Sequence, residues 1–235
     1  MNKILCFDVS NHSCSVAISE GQNILAFEQE LRPSMQAERL FVLIESALKT
    51  AHLHYQDLDY LAVTVGPGSF TGIRIGLAAA RGIIRASKIK GLGVTNFEAA
   101  YYRLATQVKE YDNAFILLNA YRNQTYLQEF TNNGIKSKPL LVDNSDIKGI
   151  LTSKKGRIIC TGSGASSVYD EIKNIENLTI LPRFPVVKAL HIARYADEKI
   201  NQGIFDPIEP LYIRPPDAKA TIIQQFPLKA TSVIK

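Results

Sequence analysis

The sequence predicts an α/β protein made of two similar halves, each a mixed sheet flanked by helices. Two observations predict it. Three strand-like segments are followed by alternating helix-like and strand-like segments. The same plan then returns, fainter in identity, from about Asn113 onward. The division is expected at 1–110 and 111–235.

The elements follow in order. "KILCFDVS", Lys3 to Ser10, is an apolar strand interrupted near its end by Asp8. "CSVAIS", Cys14 to Ser19, comes after the polar link Asn11-His12-Ser13, and "ILAFEQEL", Ile24 to Leu31, after the turn "EGQN". These three make an antiparallel meander. A helix is expected from about Met35 to His52, where Ala37, Leu40, Phe41, Ile44, Ala47, Leu48 and Ala51 keep helical spacing. Val42 and Leu43 lie beside that stripe and widen the apolar arc beyond what one core face needs. "DYLAVTVG", Asp59 to Gly66, is nearly all apolar, as a strand covered on both faces would be. "GPGSFTGIRIG" leads into a helix, about Phe70 to Ala86; "IKGLGVT" is a further strand and "NFEAAYYRLATQVK" a further helix.

In the second half "FILLNAYRNQTYLQEF" lies on "ILCFDVSNHSCSVAIS", which sets Asn119 on Asp8, Leu118 on Phe7 and Tyr126 on Ser15. "RIICTGSGASSVYDEI", Arg157 to Ile172, repeats the strand, Gly-x-Gly, helix grammar. A last helix runs from about Lys188 to Gln202, before the Pro-rich "PIEPLYIRPPDAK". The layout is that of the actin-like, Hsp70-like and sugar-kinase folds, whose halves are ribonuclease H-like. In those folds a carboxylate at the end of the first strand borders the nucleotide cleft, and Asp8 matches that position.

Composition is that of a soluble globular chain: 46% hydrophobic, 21% charged, 235 residues. A net charge of +5 permits nucleic-acid binding without showing it, and no dense Lys/Arg block is present. The N-terminal stretch lacks a signal-peptide pattern and no run is long enough for a membrane helix, so a cytoplasmic protein is expected. Cys6, Cys14 and Cys160 form no CxxC pair and read as buried reduced thiols. His12, His52, His54 and His191 contain no pair four apart, which argues against a His-metal centre. No GxSxG elbow is present, which argues against a serine hydrolase.

The glycine-rich stretch 66–76 resembles a phosphate loop but fails both familiar forms. It has no Lys-Ser/Thr pair after its glycines, and Gly66, Gly68 and Gly72 are spaced GxGxxxG rather than GxGxxG. A bare helix N-terminus can still hold an anion, so a weak nucleotide or anion site is entered at Asp8, Ser10, Ser69 and Thr71. Asp8 reads equally well as a turn-capping carboxylate. Along the helix, Gly72, Gly76 and Ala80 recur every four residues and form a groove of small side chains. Arg74, Arg81 and Arg85 form a stripe on another face. Two readings stand: a helix packed tightly within the chain, or a helix that lets a partner approach closely. The second is favoured. The expected interface is Ala37, Leu40, Phe41 and Ile44 from one helix, with Gly72, Ile73, Gly76, Leu77, Ala80, Arg81 and Ile84 from the other.

Three segments, "ILCFDVSNHSCSVAI", "HYQDLDYLAVTVGPGSFTGIRIGLAAARGI" and "PLYIRPPDA", together resemble the bacterial TsaB (YeaZ) family of tRNA threonylcarbamoyladenosine biosynthesis proteins. The resemblance is strongest over residues 4–100. It implies two actin-like halves and a non-catalytic subunit. That subunit would support a TsaD-type subunit, which transfers threonylcarbamoyl to adenine 37 of tRNA. It also implies docking on the TsaD-type subunit through the first two long helices, a TsaE-type ATPase as a further partner, a homodimer when alone, and tRNA contacted indirectly. No membrane is implied. No cofactor is implied for this chain alone, ATP being expected only at the interface of the complex. Metal-holding relatives carry His-x-x-x-His just after the strand that follows the Gly-Pro-Gly helix; Asn96 and Ala100 stand there instead, which is not a transition-metal ligand pair. Family members often carry Asp-Ala-Arg where this chain has Asn119-Ala120-Tyr121-Arg122. The alternative function is an ATP-binding enzyme of the actin/sugar-kinase superfamily; a peptidase has neither metal pair nor nucleophile elbow to support it.

Overall fold

The computed structural model describes residues 1–11, 13–32, 35–181 and 187–214. The first sheet has the order β3-β2-β1-β4-β5, with β1 at Lys3–Asp8, β2 at Cys14–Glu20, β3 at Asn23–Glu30, β4 at Tyr60–Gly66 and β5 at Lys90–Thr95. β1 pairs antiparallel with β2 and parallel with β4. α1, Gln36–Thr50, and α2, Phe70–Ser87, cover one face of this sheet; α3 is Asn96–Gln107. The second sheet has the order β10-β9-β6-β7-β8. Its strands are β6 Asn113–Asn119, β7 Gln124–Thr131, β8 Leu140–Asp143, β9 Ile158–Thr161 and β10 Leu178–Leu181. α4, Asn144–Thr152, and the short α5, Tyr169–Ile172, lie on its outer face. α6, Ala189–Asn201, is the last helix among the described residues. Two mixed sheets with helices on their faces are the fold class the sequence predicts.

The layering follows from period-two alternation in strands that are covered on both sides. In β1, Leu5 and Phe7 face α1 and α2, while Ile4 and Cys6 face α3 and α6. All four are fully buried. Burying one such side chain contributes about 1.5–3 kcal/mol. The central core joins the inner faces of both sheets, with Ile4, Ala62 and Leu92 on one side and Ile116, Phe130 and Ile159 on the other; α3 and α6 lie in that layer. α6 follows the second sheet in sequence yet packs against β1 to β5 of the first. The first sheet ends in sequence at β5 and the second begins at β6, while α6, from beyond both, covers the first sheet.

The internal repeat carries a one-residue correction. Asp8 pairs across its hairpin with Ser15, and Asn119 with Thr125. Thr125, not Tyr126, is therefore the counterpart of Ser15. The second link is one residue shorter, and it turns through Tyr121, Arg122 and Asn123, all with φ between 54° and 59°.

Candidate functional site

The end of β1 is closed by a hydrogen-bond network. Asp8 Oδ1 accepts from the Ser10 amide (3.0 Å), the Ser10 hydroxyl (2.5 Å) and the Thr64 hydroxyl (2.6 Å). Its Oδ2 accepts from Asn11 Nδ2 at 3.0 Å. Asn96 Nδ2 donates to Ser10 Oγ and to the Pro67 carbonyl, both at 2.7 Å. Asp8, Ser10, Thr64 and Asn96 are all buried. A buried carboxylate needs several donors to offset its lost hydration, and both oxygens of Asp8 have them from within the chain. The turn-capping reading of Asp8 describes this geometry.

Ser69 completes the loop. Its amide donates to the Ser10 carbonyl at 2.7 Å, and its hydroxyl accepts from the Gly72 amide at 3.2 Å as the N-cap of α2. Of the four residues entered as an anion site, Asp8 and Ser10 bond to each other and Ser69 bonds to both the loop and the helix. Thr71 is exposed and stands outside the network. The four do not converge on a shared open position.

The small-residue groove of α2 is filled by this chain itself. A Cβ on Gly72 would overlap the Val9 carbonyl oxygen, and one on Gly76 would lie 2.6 Å from Val9 Cγ2. Ile73, Leu77 and Ala80 are buried beside them, as are Leu40 and Ile44 on α1. These seven of the eleven expected interface residues are corrected: each lies in the core between the two helices and their own sheet. Small-residue spacing shows room for a close approach but not which backbone takes it, and here it is the end of β1.

The other four lie outward. Ala37, Phe41 and Arg81 are exposed and Ile84 is half-buried. Phe41 is 51% and the neighbouring Val42 49% exposed, which leaves an apolar patch on the outer side of α1. On the outer side of α2, the Arg74 guanidinium lies 3.7 Å from the centroid of the Phe70 ring and donates to Tyr212 Oη at 3.1 Å. The Phe70 and Tyr212 rings are themselves 5.1 Å apart. Arg81 donates to the Ile208 carbonyl at 2.7 Å. Two of the three stripe arginines therefore brace the segment 203–214 against α2. Arg214 extends the brace to the second half by donating to Gln124 Oε1 at 2.6 Å. The motif Pro210-x-Tyr212-x-Arg214 thus has a structural role; the stretch after it lies outside the described residues.

A buried ionic cluster between the halves escaped the sequence reading. Glu98 accepts from Lys136 (2.5 Å) and Lys199 (3.2 Å) through Oε1, and from the Thr95 amide and hydroxyl (2.9 Å each) through Oε2. Lys199 also pairs with Asp206. Burial alone would raise the Glu98 pKa, but the Lys199 charge, then the Lys136 and Thr95 hydrogen bonds, hold it down at about 2. The signal was present: Thr95-x-x-Glu98 is a capping box opening α3. Ala100 is buried in the central core, so the second position of the His-x-x-x-His comparison holds packing rather than ligand chemistry. Burial also raises the pKa of Cys6, Cys14 and Cys160; all three are free, buried thiols.

Comparison with known proteins adds the following. Residues 34–146 match the model described as "TsaD: tRNA N6-adenosine threonylcarbamoyltransferase". A curated tRNA threonylcarbamoyladenosine biosynthesis protein TsaB from Buchnera aphidicola (subsp. Schizaphis graminum) is 26% identical over 72% of this chain and 81% of its own length. The TsaB of Escherichia coli K12 is 33% identical over 40% of each chain. The chain thus spans less than half the length of one curated relative and most of another. A solved Pseudomonas aeruginosa structure, described as similar to peptidase YEAZ, superposes with TM-score 0.77 at 19% identity, covering 91% of this chain and all of that one. The chain is similar in sequence to TsaB proteins and in fold to a YeaZ-like structure. The Buchnera TsaB match, 174 residues long, reaches into both halves, and the TsaD model covers α1 through β8. No helix among the described residues is long and apolar enough to cross a membrane.

Proposed function

We propose that this chain is the non-catalytic partner subunit in the biosynthesis of tRNA N6-threonylcarbamoyladenosine, supporting a TsaD-type subunit that modifies adenine 37. Relatives named for this pathway support the reading, as does the match to a TsaD model over residues 34–146. The observation that carries the division of labour is the pair Asn96 and Ala100. The Asn96 amide nitrogen is engaged in fixing the loops at the ends of β1 and β4, and Ala100 lies in the core. The TsaD-type subunit docks on the outer side of α1 and α2, around Phe41 and Val42, and the same apolar patch supports a homodimer when the chain is alone. A TsaE-type ATPase joins the complex, tRNA contact is through the partner, and the setting is the cytoplasm.

The test is modification of unmodified tRNA in vitro by all other subunits, with and without this chain. Product should form only when it is present. Equal product without it overturns the reading. The ATP-binding alternative requires saturable Mg-ATP binding by the isolated chain that is lost in Asp8→Asn; the four internal donors around Asp8 argue against it.

A further inference from the structure

The segment 203–214, which follows α6, is fixed to the first half by its own backbone. The Asp206 carbonyl accepts from the Gly93 amide at 2.9 Å, and the Leu211 amide donates to the Val65 carbonyl at 2.8 Å. Gly91 and Gly93 stand two apart on β5 and so share one face of that strand. The segment fills the space where their side chains would be. A Cβ on Gly93 would overlap the Pro207 carbonyl oxygen, and one on Gly91 would lie 2.6 Å from Ile208 Cδ1. The two glycines of "IKGLGVT" are thus a track for this segment. The Phe205 ring stacks on Tyr60 at 5.8 Å, and Arg74 and Arg81 hold Tyr212 and the Ile208 carbonyl from α2. Three residues beyond Leu211, Arg214 reaches the second half. Its Nη2 donates to Gln124 Oε1 at 2.6 Å and lies 3.5 Å from the Tyr121 carbonyl oxygen.

The place of that last contact decides its effect. β6 and β7 form a hairpin whose base pairs Asn113 with Thr131 and whose tip pairs Asn119 with Thr125. The base is fixed to α3 of the first half. The Tyr101 hydroxyl donates to the Thr131 carbonyl at 2.9 Å, the Tyr101 and Phe130 rings stack at 4.3 Å, and Lys136, just after β7, pairs with Glu98. Packing on the central core thins toward the tip: Ala114 and Ile116 are fully buried, Leu118 is half-buried and Asn119 is exposed. β6 has 7 residues, so base and tip are about 20 Å apart at ~3.4 Å per residue. Arg214 therefore holds the far end of a lever whose fulcrum is α3.

We propose that the segment 203–214 is a latch between the halves. It ties the tip of the β6–β7 hairpin to the first half and so fixes the opening between the ends of β1 and β6, where Asp8 and Asn119 stand. Released at Arg214, the second half swings about its α3 contacts. The guanidinium bond to Gln124 is charge-assisted and stronger than a neutral pair. It is also a single side-chain contact, so it can break while the backbone bonds of the segment to β4 and β5 persist. The latch belongs to the isolated chain and does not depend on the partner reading.

The experiment places spin labels on the full chain at Lys49→Cys in α1 and Lys148→Cys in α4, both exposed positions, and measures the distance between them by pulsed electron resonance. Cys6, Cys14 and Cys160 are buried and should stay unlabelled. The labelled parent should show one dominant distance. In Arg214→Ala a longer distance should gain about tenfold or more in population, the scale of one lost hydrogen bond to a charged group. Gln124→Ala removes the acceptor from the opposite half and should give the same distribution. The double variant should add little to either, because both break one contact. Hydrogen exchange of the Leu211 amide should keep its protection in all of them, which separates release of the tip from loss of the whole segment. An unchanged distance in Arg214→Ala overturns the proposal, as does a widening that Gln124→Ala does not reproduce or one that comes with loss of the Leu211 protection. If Arg214→Ala does not fold, Gln124→Ala decides alone: a longer distance supports the latch and an unchanged one overturns it.

Discussion

One side of α2 sets Gly72 and Gly76 against the end of β1; another leaves Gly82 with nothing within 4 Å of where its Cβ would be. The three glycines share one helix and the same local cost, about 0.5–1 kcal/mol each relative to alanine. On the first side that cost is offset at Gly72 by the close approach of the Val9 carbonyl and at Gly76 by the packing of the Val9 side chain. On the second it is offset by nothing among the described residues. The difference shows that a small residue in a helix is informative only through what faces it.

The largest break of the comparison is Gly72→Val. Its side chain must displace the Val9 carbonyl, and more than about 3 kcal/mol of stability should be lost. Against the 5–15 kcal/mol typical of a domain, soluble yield and cooperative melting should fall sharply. A Gly72→Val chain that melts like its parent refutes the groove assignment. Next is Phe41→Arg on the outer side of α1. Co-purification with a TsaD-type subunit should drop more than about a hundredfold, the scale of a central hot spot, while the melting temperature stays within about 2 °C. Retained co-purification moves the docking face elsewhere.

A third prediction uses neither side of α2. Glu98 has a folded pKa near 2, below its ordinary value of about 4.3. Its contribution is therefore complete above about pH 4.5 and is lost as pH falls toward 2. Denaturant melts across that window should show the loss in the parent chain, on the order of 3 kcal/mol, and a much flatter profile in Glu98→Gln. Arg81→Ala removes one hydrogen bond to the Ile208 carbonyl at an exposed position and should cost about 1 kcal/mol or less, read as earlier proteolysis of the segment after α6. The smallest effect has the opposite sign. Gly82→Ala should stabilise by about 0.5–1 kcal/mol, seen as a small rise in melting temperature. If it also weakens partner binding, the outer side of α2 is in the interface as well as the outer side of α1.

Much of the fold was legible because alternation and helical spacing state directly which side of an element is apolar. β4 read as a doubly covered strand, and so it is. α1 read as too apolar for one core face, and Val42 and Phe41 are the surplus. What spacing does not encode is the identity of the neighbour. Gly72, Gly76 and Ala80 signalled a close approach, and only three-dimensional placement names Val9 as its occupant. Leu40, Ile44 and Leu77 had the right polarity for an interface, but the chain's own sheet claims them. The shorter second hairpin was illegible because Tyr121, Arg122 and Asn123 adopt left-handed backbone without a glycine to announce it. In the candidate site, Asp8 was found by its place at a strand end. Its four donors come from β4 and from the loop that follows β1, a convergence no linear pattern displays.

The placement of α6 has a consequence for synthesis. The strands of the first sheet are complete by Thr95, yet the helix that packs across β1 to β5 on their inner face spans Ala189–Asn201. Roughly a hundred residues must be translated in between. At about 5–20 residues per second, Ile4, Cys6, Ala17 and Ala62 wait for their cover for about 5–20 seconds. The nascent chain therefore carries an apolar sheet face through half of its own production. A ribosome stalled before α6 should hold a product that recruits chaperones, and one stalled past Arg214 should not.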